Sequence, residues 1–200
     1  IDAYNNALSI KPDYADAYVN MGNVFKQELK LEEALEAYNN ALSTEPDNAE
    51  AYYNMGNVLK DQEKLGEALK AYNNALSIQP DYTDAYVNMG NVLTDQEKLE
   101  DAVEAYNKAL SNDPDNAEAY LNMGNVLKDQ DKLEEAIDAY NNAISTKPDY
   151  ADAHYYLSHI KKYSLEDEQF LQVQELYKSE SLSDDKRCKL SFTLARMYED

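Results

Sequence analysis

The chain has 200 residues and carries 39 Asp and Glu against 18 Lys and Arg, a formal charge of −21. That charge repels phosphate backbones and anionic lipid surfaces, so neither nucleic acid nor membrane is an expected partner, whereas a neutral or basic one is. Five glycines, five prolines and no tryptophan leave little room for hairpin-rich folds and favour helices joined by short turns. Cys188 stands alone, which excludes an internal disulfide. No apolar run approaches the ~18 residues of a membrane span. The single thiol and the absence of an N-x-Ser/Thr sequon point to a cytoplasmic setting.

Residues 1–14 read as the second helix of a helix pair. Four complete units follow, 15–48, 49–82, 83–116 and 117–150. Two markers set their boundaries. Asn-Met-Gly begins at Asn20, Asn54, Asn88 and Asn122, and proline stands at Pro12, Pro46, Pro80, Pro114 and Pro148, each series stepping by 34 residues. Within 49–82, Tyr52, Met55, Gly56 and Leu59 mark one helical face, and Ala68, Tyr72 and Ala75 mark a second. A mid-helix glycine costs about 1 kcal/mol, so its recurrence predicts a helix–helix approach too close for a Cβ. Asp47 with Glu50, and Asp115 with Glu118, have the spacing of an N-cap and capping box. Just after the prolines, Tyr14, Tyr82 and Tyr150 alternate with Asn48 and Asn116.

Residues 151–200 diverge. The stretch 151–163 opens like a fifth first helix, but Tyr156, His159 and Tyr163 replace the polar residues of the earlier units. Ser164 is placed to cap a helix ending near Lys178, and Ser183 one running towards Glu199. A start in mid-repeat suggests a piece of a longer protein. It leaves Tyr4, Ala7 and Leu8 without a covering first helix, while Leu190, Phe192, Leu194 and Met197 sit on a last helix without a partner. Weak end-to-end or tail-mediated self-association is therefore expected, because internal repeats have apolar flanks.

Tyr18, Met21, Gly22, Phe25, Ala34, Tyr38, Ala41 and Pro46 resemble the tetratricopeptide pattern W-x2-L-G-x2-Y…A-x3-F-x2-A…P, with tyrosine for tryptophan and methionine for leucine. Tyr120, Met123, Gly124, Leu127, Ala136, Tyr140, Ala143 and Pro148 repeat it. The resemblance implies an all-α fold, an α-solenoid of antiparallel helix pairs wound into a right-handed superhelix, with first helices lining a concave groove. The family commonly has glycine at the turn inside each pair, where Leu29, Glu63, Glu97 and Asp131 stand here. A left-handed conformation at those residues carries about 1 kcal/mol of strain each. The tyrosines Tyr38, Tyr72, Tyr106 and Tyr140 read as core, and Asn39–Asn40, Asn73–Asn74 and Asn141–Asn142 as outer surface.

Steps of three and four along the first helices select two asparagine rows, Asn20, Asn54, Asn88 and Asn122, then Asn23, Asn57, Asn91 and Asn125, followed by the acids Asp61, Asp95 and Asp129. Asparagine is a mediocre helix former, but its carboxamide both donates and accepts hydrogen bonds. The rows resemble the asparagine ladder in the tetratricopeptide superhelix of O-linked N-acetylglucosamine transferases, which implies binding of an extended peptide. Hydrogen bonding to neighbouring helices is the structural alternative, and for the second row the two readings stand level. Lys64, Lys98 and Lys132 are placed to offset the acids. Chaperone-adaptor members clamp a carboxylate with basic residues, but Val19, Tyr53, Val87 and Leu121 precede the ladder asparagines here, so no such clamp is expected.

The tail resembles the junction in bacterial proteins that join tetratricopeptide arrays to a sulfotransferase domain. An alternative role follows from that resemblance, the recruiting or regulatory arm of a transferase whose catalytic domain lies elsewhere. Within the chain itself, Glu32–Glu33 and Glu134–Glu135 read as solvated faces rather than acid–base pairs. His154 and His159 are poorly spaced for metal ligation, and no phosphate loop or nucleophile elbow occurs. No enzymatic activity, metal or cofactor is expected.

Overall fold

The computed structural model describes residues 1–180 and 182–199, in which twelve helices and no strand occur. The chain divides into two compact units, residues 1–112 and 113–200. The first holds α1 (Asp2–Ile10), α2 (Ala15–Gln27), α3 (Leu31–Thr44), α4 (Ala49–Asp61), α5 (Leu65–Ile78), α6 (Thr83–Asp95) and α7 (Leu99–Asn112). The second holds α8 (Ala117–Asp129), α9 (Leu133–Thr146), α10 (Ala151–Ser158), α11 (Glu168–Lys178) and α12 (Asp184–Glu199). Within each unit, successive helices pair as in an α-solenoid.

In the first unit the second helices α3 and α5 are each covered on two sides. Tyr38 and Ala34 of α3 share one core with Val19 of α2 and with Ala51 and Val58 of α4. Tyr72 and Ala68 of α5 likewise join Leu59 of α4 to Val92 of α6. The repeated glycines explain how the pairs come so close. A Cβ built on Gly22, Gly56 or Gly90 would lie 2.5 Å from the ring of Tyr38, Tyr72 or Tyr106, far inside van der Waals contact. The cores are apolar, but α1 contributes no buried residue, and Tyr4, Ala7 and Leu8 are only partly covered by α2.

The turns inside the pairs adopt the left-handed geometry. Leu29, Glu63, Glu97 and Asp131 have φ of 58°, 59°, 58° and 60°. Each turn is a Schellman motif, as in α2, where Leu29 N–H donates to the Lys26 carbonyl (3.0 Å) and Lys30 N–H to that of Phe25 (2.9 Å). The helix starts differ from expectation. Asn48 and Asn116, not Asp47 and Asp115, are the N-caps, their Oδ1 atoms accepting from Ala51 N (2.8 Å) and Ala119 N (2.9 Å). An asparagine one residue nearer the helix has the reach that the aspartates lack. Tyr14, Tyr82 and Tyr150 hold the same position in α2, α6 and α10 with no side-chain cap.

The second unit departs most at its end. α10 is 8 residues long, so Tyr163 lies beyond it, turns inward and donates to Gln169 Oε1 (3.2 Å). α11 begins at Glu168, later than a Ser164 cap implies, because Asp167 occupies the N-cap and its Oδ2 accepts from Ser164 N (2.8 Å). α12 follows Ser183 as expected, but it is not unpartnered. It packs on α10 and α11, burying Leu190 and Met197 to 1% exposure, while Phe192 stays 64% exposed. Lys186 and Lys189 tie it to Asp149 (2.8 Å) and Asp152 (2.6 Å).

Candidate functional site: the asparagine-bearing face of the first helices

In the first unit α4 lies against both α2 and α6, which brings their asparagines onto one face. The second row is anchored from below. The hydroxyl of Tyr38 donates to Asn23 Oδ1 at 2.7 Å, and Tyr72 and Tyr106 donate to Asn57 and Asn91 at 2.8 Å. In the second unit Tyr140 does the same to Asn125 at 2.8 Å. The rings are buried, and burial pushes the Tyr38, Tyr72 and Tyr140 phenols well above their ordinary pKa, so they remain neutral donors. Each carboxamide oxygen of the second row is therefore committed to the protein. The amides of Asn23, Asn57 and Asn125 donate to no protein atom among the described residues.

The first row is oriented the other way. Asn20 is exposed and donates from Nδ2 to the Asp16 carbonyl at 2.8 Å. Asn88 donates from Nδ2 to Tyr53 Oη and to Asn57 Oδ1, both at 3.0 Å, so it couples α6 to α4. Asn54 is half-buried on the same face. From sequence, Tyr53 serves only to argue against a carboxylate clamp and has no place in the site. Its ring lies 4.8 Å from that of Tyr82 and 6.1 Å from that of Tyr72. The Tyr82 phenol is pushed up to about 12 by burial and then by its neighbour Tyr53. The available signal was the change from Val19 to Tyr53 beside the ladder, together with the Tyr/Asn alternation that supplies Tyr82.

The acids end the face. Asp61 is met by Lys26 of the preceding first helix at 4.0 Å, and Asp129 by its neighbour Lys128 at 3.5 Å. These lysines, rather than Lys64 and Lys132, stand nearest, because Lys64 and Lys132 are N-cap residues of α5 and α9. At the corresponding position of α6 a threonine replaces lysine, and Thr94 donates to the Gly90 carbonyl (2.9 Å). Such exposed pairs are worth at most about 1 kcal/mol.

In the second unit Tyr156 of α10 stands where the next ladder asparagine would be. It stacks on Tyr140 at 6.1 Å, with Lys128 Nζ 5.5 Å from its ring and Tyr155 edge-on at 5.5 Å. The histidines are engaged separately. His154 is fully buried with Nε2 2.9 Å from the Pro148 carbonyl, and His159 Nδ1 is 2.8 Å from the Tyr155 carbonyl. Among the described residues no group of three or more His, Cys, Asp or Glu is arranged to hold a metal ion, and no helix is long and apolar enough to cross a membrane.

Solved structures share this architecture. YrrB, a tetratricopeptide protein with an unusual peptide-binding site, aligns over 96% of both chains with a TM-score of 0.71 and 25% identity. MamA from Desulfovibrio magneticus RS-1 aligns over 92% of this chain and 93% of its own (0.68, 20%). Pseudomonas aeruginosa pilF aligns over 93% and 85% (0.73, 19%). At these last identities the likeness is one of fold alone. No curated protein sequence matches the chain. The profile of the family described as TPR repeat matches residues 1–28, 30–62, 56–94, 90–131 and 124–160, and the chain belongs to the tetratricopeptide repeat family, whose fold is a scaffold typical of protein–protein interaction.

Proposed function

We propose that this protein is a non-catalytic scaffold that holds an extended peptide or protein segment along its concave first-helix face. In the first unit the contacts are Asn20, Asn54 and Asn88, with Asn23, Asn57 and Asn91 beside them and Asp61 and Asp95 at the edge. α8 offers the equivalent Asn122, Asn125 and Asp129. The supporting observation is the convergence of aligned carboxamides on adjacent helices α2, α4 and α6, at a helical position where propensity alone disfavours asparagine. The net charge of −21 favours a neutral or basic ligand. The lone thiol of Cys188 suits a cytoplasmic location, which is part of this reading.

A screen of short peptides tests it. Neutral and basic sequences are expected to bind, more weakly as salt rises, because exposed charges are screened beyond about 10 Å at 0.1 M. Asn20→Ala with Asn54→Ala is expected to cost binding at least tenfold, about 1.4 kcal/mol, with little change in melting. Asn88 is left intact because its amide also bonds Tyr53 and Asn57. A screen dominated by acidic sequences, or a double variant that binds normally, refutes the proposal.

A further inference from the structure

Tyrosine stands immediately before a first helix three times, as Tyr14 before α2, Tyr82 before α6 and Tyr150 before α10. Two of these rings carry a cation from their own chain. Three residues earlier, Lys11 places its Nζ 5.1 Å from the Tyr14 ring and Lys147 its Nζ 4.5 Å from the Tyr150 ring, within the ~6 Å over which a ring face attracts an ammonium group. At Tyr150 the neighbouring carboxylate is paired as well, since Lys189 donates to Asp152 at 2.6 Å. Tyr82 differs on both counts. Its counterpart of Lys147 is Gln79, exposed on the same kind of turn: Tyr82 N–H donates to the Gln79 carbonyl at 3.2 Å, as Tyr150 N–H does to that of Lys147 at 3.0 Å. Among the described residues no lysine or arginine lies over the Tyr82 ring, and none pairs with Asp84, the counterpart of Asp152, or with Glu50.

The surroundings of Tyr82 are nonetheless the ones most suited to a cation. Tyr53 packs on its ring at 4.8 Å, whereas the corresponding residue before Tyr150 is Leu121. Both rings are half-buried, and the side chains of Glu50 and Asp84 are exposed. After burial and Tyr53, these two carboxylates add to what holds the Tyr82 phenol up, so both act on this ring. Tyr53 Oη accepts from Asn88 Nδ2 at 3.0 Å, which sets the notch beside the asparagine-bearing face.

We infer that Tyr82 and Tyr53, flanked by Glu50 and Asp84, receive an arginine or lysine side chain of the bound segment, the cation that Lys11 and Lys147 supply from within the chain at Tyr14 and Tyr150. This rests on the groove reading above and deepens it. The Tyr53–Tyr82 combination occurs once along units that are otherwise nearly alike, so it fixes the register of the ligand. Arginine fits best, because a planar guanidinium lies on a tyrosine ring while its edge donates to carboxylates.

The test uses the full chain and two end-capped nine-residue serine–glycine peptides, one with a central arginine and the other with citrulline, its neutral isostere. Wild type is expected to bind the arginine peptide about three- to tenfold more tightly. Tyr82→Asn introduces the residue type that caps the same start at Asn48 and Asn116. It is expected to keep the fold and the binding of the citrulline peptide while abolishing the preference. Gln79→Lys recreates the arrangement at Tyr14 and Tyr150 and is expected to remove the preference by filling the notch from within. Asn73→Lys, the same charge at an exposed position of α5, is expected to leave it. Equal affinity of wild type for the two peptides, or a preference that survives Tyr82→Asn and Gln79→Lys, overturns the notch and leaves the groove reading standing. A preference that persists with undiminished affinity in the Asn20→Ala, Asn54→Ala double variant does the reverse. If neither peptide binds wild type, both fall.

Discussion

Two kinds of residue carry measurable tension in this fold. The left-handed Leu29, Glu63 and Glu97 sit where a Cβ is disfavoured by roughly 1–2 kcal/mol. Glycine loses part of that gain to its freer unfolded chain. Replacing each by glycine is expected to raise stability by about 0.5–1 kcal/mol in urea titration, and an unchanged midpoint would show the turn to be unstrained. The glycines form a second, opposed set. Gly56→Ala drives a methyl into the Tyr72 ring and is expected to cost about 1–3 kcal/mol even though alanine favours the helix. Gly66 has nothing within 4 Å of its missing Cβ. Gly66→Ala is thus expected to stabilise by up to about 1 kcal/mol, and the two alanine variants should shift the thermal melt in opposite directions.

The helices were legible in sequence because their signals recur and agree. The spacing of Tyr52, Met55, Gly56 and Leu59 marks the packed face of α4, and the predicted close approach at Gly56 is the contact with Tyr72. What failed was local: two candidate caps stood side by side at 47–48 and at 115–116, and only backbone geometry decides that Asn48 and Asn116 bond the helix start. Asn48→Ala is expected to cost about 1 kcal/mol, and Tyr14→Asn, at the uncapped start of α2, to return a similar amount. In the tail, pattern matching could not reveal that α10 stops at Ser158 or that α12 folds back on it, since those contacts join distant segments. His154, buried in α10, has its pKa lowered by burial. Above its unfolded value of about 6.5 it is neutral in both states. As pH falls below that, the unfolded chain takes up the proton first and stability declines, by at most about 1.4 kcal/mol per pH unit, until the lower folded pKa is reached. Asp149, lowered by its bond from Lys186, acts only in the more acidic carboxylate range. Melting curves between pH 7 and 5 are therefore expected to fall more steeply for wild type than for His154→Gln, and parallel curves would contradict the assignment.

For the molecule as a whole, the repeat made the fold plain while its near-identity left the asparagine rows indistinguishable. Every asparagine recurs, so recurrence cannot separate a ligand-binding row from a structural one. What the structure adds is the Tyr38–Asn23 bond and its copies, between residues fifteen apart in sequence, which hold the oxygen of each second-row asparagine. Tyr53 was named only for not being basic, and its contacts with Asn88, Tyr72 and Tyr82 were not legible because a tyrosine stands at that position in a single repeat. The charge argument, by contrast, needed no coordinates. The expectation of open ends is modified on one side, where α12 seals most of its own apolar face, leaving Phe192 exposed. The central claim is that ligand lies on the asparagine-bearing face of α2, α4 and α6. Its most direct test is side-chain amide NMR of the full chain titrated with an end-capped nine-residue peptide of alternating lysine and serine. The resonances of Asn20, Asn23, Asn54, Asn57 and Asn88 are expected to shift together and saturably, while those of the exposed Asn39, Asn40, Asn73 and Asn74 stay in place; shifts confined to the second-helix asparagines would put the binding surface on the opposite side and contradict the account.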